Sequence, residues 1–159
     1  MAQIVLADDG IPFNGLMAEQ EPLGGAESAF VSLANAFSQL GHEVTAYTNS
    51  ELVTQHQGVL WKDIADEVPK SADLYIANRS NKLISLVPDA EVRLFWIHNP
   101  AQYLLKWRYL TKLFRYRPIV VFSGKFHSKS CPEWVPNGGR EIIPYGISDP
   151  YLSVDRSGV

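Results

Sequence analysis

The chain lacks most of the features that tie a sequence to a particular chemistry. It has one cysteine, Cys131, in 159 residues, so it can form neither an intrachain disulfide nor a thiolate metal cluster. That usage points to a reducing, cytoplasmic setting. No run approaches the ~18 apolar residues of a membrane span, and the opening "MAQIVLADDG" has no basic region of the kind that begins a signal peptide. The four histidines, His42, His56, His98 and His127, fall in no H-x-x-x-H or H-E-x-x-H spacing, so no metal site is expected. There is no G-x-G-x-x-G, no G-x-x-x-x-G-K-[ST] and no G-x-S-x-G, which removes the dinucleotide, P-loop and nucleophile-elbow fingerprints. Cys131 follows no motif and reads as an inert thiol. A net charge of −3 argues against a general nucleic-acid binder. No internal repeat or low-complexity tract is present.

What remains is an ordinary globular composition, 46% hydrophobic and 19% charged, long enough for one domain with a proper core. "QIVLA" (3–7) reads as a buried strand, followed by a Gly-, Pro- and acid-rich loop from Asp8 to Gly24. Ala26, Ala29, Phe30, Leu33, Ala34, Phe37 and Leu40 then recur at helical spacing. Gly41 stops that helix, and "HEVTAYT" (42–48) is the next strand. Strand, loop, helix and strand in under about fifty residues make a βαβ unit of a parallel sheet. Further strands are predicted at 58–64, 72–78, 91–98, 118–123 and 140–147, with helices at 80–87, 101–117 and 124–131. Six or seven strands alternating with helices predict an α/β fold with a doubly wound, mostly parallel sheet.

Such sheets bind ligands outside the carboxyl ends of their strands. Asp8, Asp9, Gly24, Gly25, Asn78, Arg79, His98, Asn99, Ser123, Tyr145 and Gly146 all fall there. At Gly24–Gly25 the unpaired N–H groups of the first helical turn and the macrodipole suit an anion, and the missing Cβ atoms permit close approach. A turn that merely needs glycine explains the same dipeptide. Glu27, in that first turn, would repel an anion unless it points away. His98 is either a hydrogen-bonded structural residue or a functional one at a strand end.

Residues 104–117, "LLKWRYLTKLFRYR", carry five basic side chains and no acidic one, leaving −8 on the rest. Tyr103, Trp107, Leu110 and Phe114 form its apolar stripe, with Arg108, Lys112 and Arg115 on another face. One reading packs the stripe on the sheet and solvates the basic side. The other brings the segment to anionic lipid headgroups.

"PLGGAESAFVSLANAFSQLGHEVTAYT" resembles the first helix and second strand of the family-4 glycosyltransferases. In that family a double glycine, a glutamate, a long helix and a Gly-His-Glu-Val turn follow in this order. "VVFSGKFHSKSC" is similar to the family's strand running into a serine and a short helix. "REIIPYGISDPYL" is similar to its Ile-Pro-Asn-Gly-Val segment, with Tyr145 in place of the asparagine. The resemblance spans residue 3 to about residue 152. It implies the GT-B architecture, two Rossmann-like domains facing a cleft, with residues 1–152 the acceptor-side domain and 153–159 an exit tail toward a second domain. It also implies a retaining transfer of a sugar from a nucleotide-sugar donor to a hydroxyl of a glycan or lipid-linked acceptor. The first domain alone would be inactive. Gly24 and Gly25 would lie near the donor diphosphate and His98 would reach the transferred sugar. Asp9, Arg79, Asn99 and Ser123 would be further cleft contacts. No metal or organic cofactor is expected, because the family is generally metal-independent. The family's Glu-x7-Glu motif belongs to the second domain, so Glu19/Glu27, Glu43/Glu51 and Glu133/Glu141 match its spacing by coincidence. Two other classes stand beside the enzyme: a stand-alone Rossmann-like module that binds a nucleotide or a partner without catalysis, and a membrane-surface protein that works through 104–117.

Overall fold

A computed structural model describes residues 1–146. Eight strands form one sheet in the order β3-β4-β2-β1-β5-β6-β7-β8. They are β1 (Gln3–Asp8), β2 (Glu43–Thr48), β3 (Thr54–His56), β4 (Val59–Asp63), β5 (Ser71–Asn78), β6 (Asp89–Trp96), β7 (Ile119–Phe122) and β8 (Gly139–Ile142). Every neighbouring pair is parallel except β3 with β4. The expectation of an α/β fold with a mostly parallel sheet holds at this level. Among the described residues, no helix is long and apolar enough to cross a membrane.

Side chains alternate across the pleat, and the apolar ones fill both faces. Ile4 and Leu6 enter a cluster with Phe13, Phe30, Ala34, Trp61 and Trp96. Val5 and Ala7 enter another with Tyr75, Phe95, Leu104, Tyr109 and Leu113. The first cluster is closed by α2 (Gly25–Gln39), whose buried Phe30, Val31 and Ala34 recur at helical spacing. Phe13 and Phe30 meet edge to face at 5.4 Å. The second is closed by α3 (Trp107–Tyr116) and the 3₁₀ turns Leu83–Ser85 and Ala101–Leu105.

Several predicted elements differ from those observed. The loop Asp8–Gly24 contains a single helical turn, α1 (Met17–Gln20), and α4 spans Lys125–Lys129. Strand β3 had no sequence signal. Its hairpin with β4 turns through Gln57 and Gly58, both at positive φ (49° and 78°), and a glutamine is an unusual residue for that conformation. The helix predicted at 80–87 shrinks to the turn Leu83–Ser85. The helix predicted at 101–117 breaks at Lys106, which is extended (φ −69°, ψ 137°) and serves as the N-cap of α3. The break resets the register, and Tyr109 and Leu113, not the stripe Tyr103–Trp107–Leu110–Phe114, become the residues α3 buries. The strand predicted at 140–147 ends at Ile142. Ile147 and the expected exit tail 153–159 lie outside the described residues.

Phe30 joins α2 to the first cluster with no exposure. Replacing it with alanine is expected to cost about 3–5 kcal/mol, read as a lowered urea midpoint with unchanged far-UV dichroism at low denaturant.

Candidate functional site

Strand β1 lies between β2 and β5, and its register aligns Asp8 with Asn78; β5 in turn aligns Asn78 with Trp96. The chain leaves β1 toward the α2 face and leaves β5 toward the face of the Leu83–Ser85 turn. The strand order reverses at this pair, where parallel sheets open a crevice. Asp8 and Asn78 share the parity of Leu6 and Ile76, which places both on the side that α2 covers.

Two carboxylates and one guanidinium meet there. Asp8 has no exposed surface and Glu27 is 6% exposed. Arg79 grips Asp8 with two nitrogens, Nε at 3.0 Å from Oδ2 and Nη2 at 2.7 Å from Oδ1. Its Nη1 donates to Glu27 Oε1 at 2.7 Å. Arg79 reaches them from a left-handed backbone (φ 64°), held by its N–H bonded to Trp96 O at 2.9 Å. Burial pushes the Glu27 carboxyl up, but its own backbone N–H and Arg79 outweigh burial and hold it below the usual range. Burial also works against the Arg79 charge, and the two carboxylates more than restore it.

Glu27 stands three residues after the N-cap Gly24 and folds back over the mouth of α2, as the glutamate of a capping box does. A Cβ on Gly24 would run into that carboxylate, whereas one on Gly25 would meet nothing within 4 Å. Gly24 therefore makes room for Glu27, and Gly25 faces open space. The N–H groups of Gly25 and Ala26 have no acceptor among the described residues.

Asn78 links this ion cluster to His98. Its Nδ2 donates to Asp8 Oδ2 at 2.5 Å, which leaves its carbonyl to face His98 Nε2 at 2.6 Å. A carboxylate only accepts, so the amide orientation is fixed, and His98 must carry its proton on Nε2. Burial, and then the Arg79 charge, lowers the His98 pKa from 6.5 to about 4. The neutral ring thus presents Nδ1 as an acceptor, and the Tyr145 hydroxyl donates to it. The two rings stack with centroids 5.7 Å apart and an interplanar angle of 11°.

His98, Tyr145, Trp96, Gly25 and Ala26 line one groove of about 1470 Å³ between α2 and the β5–β7 face. It is larger than an ordinary small-ligand pocket of about 300–1,000 Å³.

The structure thus brings together Gly24, Gly25, Arg79 and His98 of the seven proposed contacts, the strand-end candidates Asp8, Asn78 and Tyr145, and Glu27. It does not bring in the other three. Asp9 points to the opposite face and takes no part in the network. Asn99 is exposed, and its carbonyl accepts from His127 Nε2 at 2.8 Å. Ser123 pairs with His127, Oγ to Nδ1 at 3.1 Å. The role of Glu27 had a signal, an acid at the third helical position after a glycine N-cap. Arg79 is marked by its place at a strand end, but nothing in the sequence pairs it with Glu27. Buried Cys131 has its thiol pushed up by burial.

Comparison of the chain with protein-family models, with curated proteins and with solved structures finds no match.

Two predictions follow from the geometry. Arg79→Met leaves two buried carboxylates without a counter-charge and is expected to cost about 3–5 kcal/mol, measured by urea unfolding. The second concerns pH. Between 6.5 and about 4 the unfolded chain binds a proton at His98 that the native state refuses, so stability falls as pH drops through that window. Glu27 adds a further loss at lower pH, as its depressed native pKa is approached. Urea midpoints should decline from pH 7 to pH 4.5, and His98→Gln should flatten that decline.

Proposed function

We propose that this chain is the acceptor-side, Rossmann-like domain of a retaining GT-B glycosyltransferase. On this reading its doubly wound sheet forms one wall of a cleft, and a second domain supplies most of the nucleotide contacts. The observation that carries the reading is that the unpartnered N–H groups at the start of α2 and the neutral His98 face the same open groove. A leaving diphosphate gains negative charge during glycosyl transfer, and fixed N–H donors stabilise that charge without a metal. Gly25 allows the phosphate to approach them closely.

His98 suits a sugar. Its Nδ1 accepts from a hydroxyl, and the Tyr145 phenol occupies the hydrogen bond that a donor-sugar hydroxyl would make. Tyr145 is 45% exposed and can yield that place. Asp8 and Asn78 hold the ring in the tautomer this requires. The transfer itself would run between a nucleotide-sugar and an acceptor hydroxyl on a glycan or lipid-linked molecule, and the chain alone would not turn over.

A binding module without catalysis is the second reading. It is favoured by Glu27, whose carboxylate occupies part of the helix mouth and leaves the cluster of Asp8, Glu27 and Arg79 with a surplus negative charge.

Titration of the isotope-labelled chain with uridine-, guanosine- and adenosine-diphosphate sugars tests the proposal. At least one should shift the Gly25 and Ala26 amide signals and the His98 ring, and Gly25→Leu should abolish the amide shifts without moving the urea midpoint. Binding whose shifts are confined to other residues would sink it. Binding with the same shifts by the plain nucleotide, with no gain from the sugar, would favour the module.

A further inference from the structure

We propose that the surface formed by Ala101–Leu105 and α3 docks on an anionic lipid membrane. The inference does not depend on the sugar-transfer reading.

Charge is segregated along the chain. Residues 92–132 contain eight Lys and Arg and no Asp or Glu, in a protein whose net charge is −3. Among the described residues none of those eight makes an ion pair. Arg93 donates to the Val87 and Pro88 carbonyls and Lys112 to Ser85 Oγ; the other six are exposed, and their charge is left for something outside the fold.

The aromatic side chains carry the second half of the case. α3 already satisfies its packing through Tyr109 and Leu113. On its outer side Trp107 is 79% exposed and Phe114 67% exposed, seven residues apart and so on one stripe of the helix. Tyr103 and Leu105 stand partly exposed just before the helix. The cations lie among these rings: Lys106 Nζ is 3.9 Å from the Tyr103 centroid, and the Arg117 guanidinium is 5.9 Å from that of Phe114. Arg108 and Arg115 project from the exposed side of the helix. An exposed row of Trp and Phe flanked by Lys and Arg matches a bilayer interface, where rings enter the headgroup layer and cations meet lipid phosphates. A polar polyanion such as an acidic polysaccharide would engage the cations and leave Trp107 and Phe114 in water. No helix here needs to cross the bilayer for this contact.

Co-sedimentation of the full chain with vesicles tests the assignment. Vesicles of phosphatidylcholine with one third phosphatidylglycerol should bind the protein, pure phosphatidylcholine should not, and added salt should weaken binding. The double variant Arg108→Glu/Arg115→Glu should lower partition about tenfold or more. Trp107→Ser/Phe114→Ser should lower it by a similar factor, and both variants should keep the native urea midpoint because all four side chains are exposed. Absence of binding to anionic vesicles, binding indifferent to both double variants, or retention on heparin without vesicle binding would each overturn the proposal.

Discussion

Arg79 sits between carboxylates from two different elements, Asp8 at the end of β1 and Glu27 in the first turn of α2, and is itself carried just past β5. Neither carboxylate could be buried as an ion without it, since an uncompensated charge in the interior costs several kcal/mol. The guanidinium therefore fixes how α2 sits over the central strands. It also fixes the orientation of the Asn78 amide through Asp8, and hence the proton position on His98. The imidazole tautomer, the angle of the helix mouth and the closure of the central strand pair all rest on one planar cation. Its left-handed backbone at φ 64° is a conformation that non-glycine residues adopt at some cost, and three short charge-assisted bonds offset it.

The electrostatics of the cluster have a chemical corollary. Its two acids and one base leave one surplus negative charge, and the neutral imidazole adds none. Groups of this kind (carboxylates, an amide, an imidazole and a phenol) make directional hydrogen bonds with hydroxyls. Among the described residues that line the groove none is Lys or Arg, and its electropositive feature is the row of backbone N–H groups at Gly25 and Ala26. A ligand that suits both halves bears hydroxyls at one end and a compact negative group at the other. That pairing is the physical content of the nucleotide-sugar proposal.

Apolar runs made β1, β2, β5 and β7 legible in the sequence, because strands buried on both faces need nearly continuous apolar side chains. The strand-end rule also points to Asp8, Asn78, Arg79, His98 and Tyr145, and equally to Asp9, Asn99 and Ser123, which stay outside the network. What it could not supply was parity. Asp8 rather than Asp9 enters the cluster because the pleat sends residue 8 to the side of Ile4 and Leu6, and that depends on register with β5. The exposed face of α3 differs from the sequence expectation for a related reason. A helix assumed continuous through Lys106 carries its stripe through Trp107 and Phe114, but one that restarts there turns those residues outward. Strand β3 was invisible because a glutamine, rather than Asn or Asp, takes the first left-handed position of its hairpin.

The strand order has a consequence for how the molecule comes into being. Of the described strands β1 is made first, and it ends in the middle of the sheet. Its β2 edge can be covered once residue 48 has been synthesised, but its other edge waits for β5, some seventy residues further along the chain. During synthesis the nascent half-sheet therefore carries an open central edge, together with a buried-type aspartate whose counter-ion has not yet been translated. Such long-range closure makes for slow folding, and the central edge stays open until β5 pairs with it.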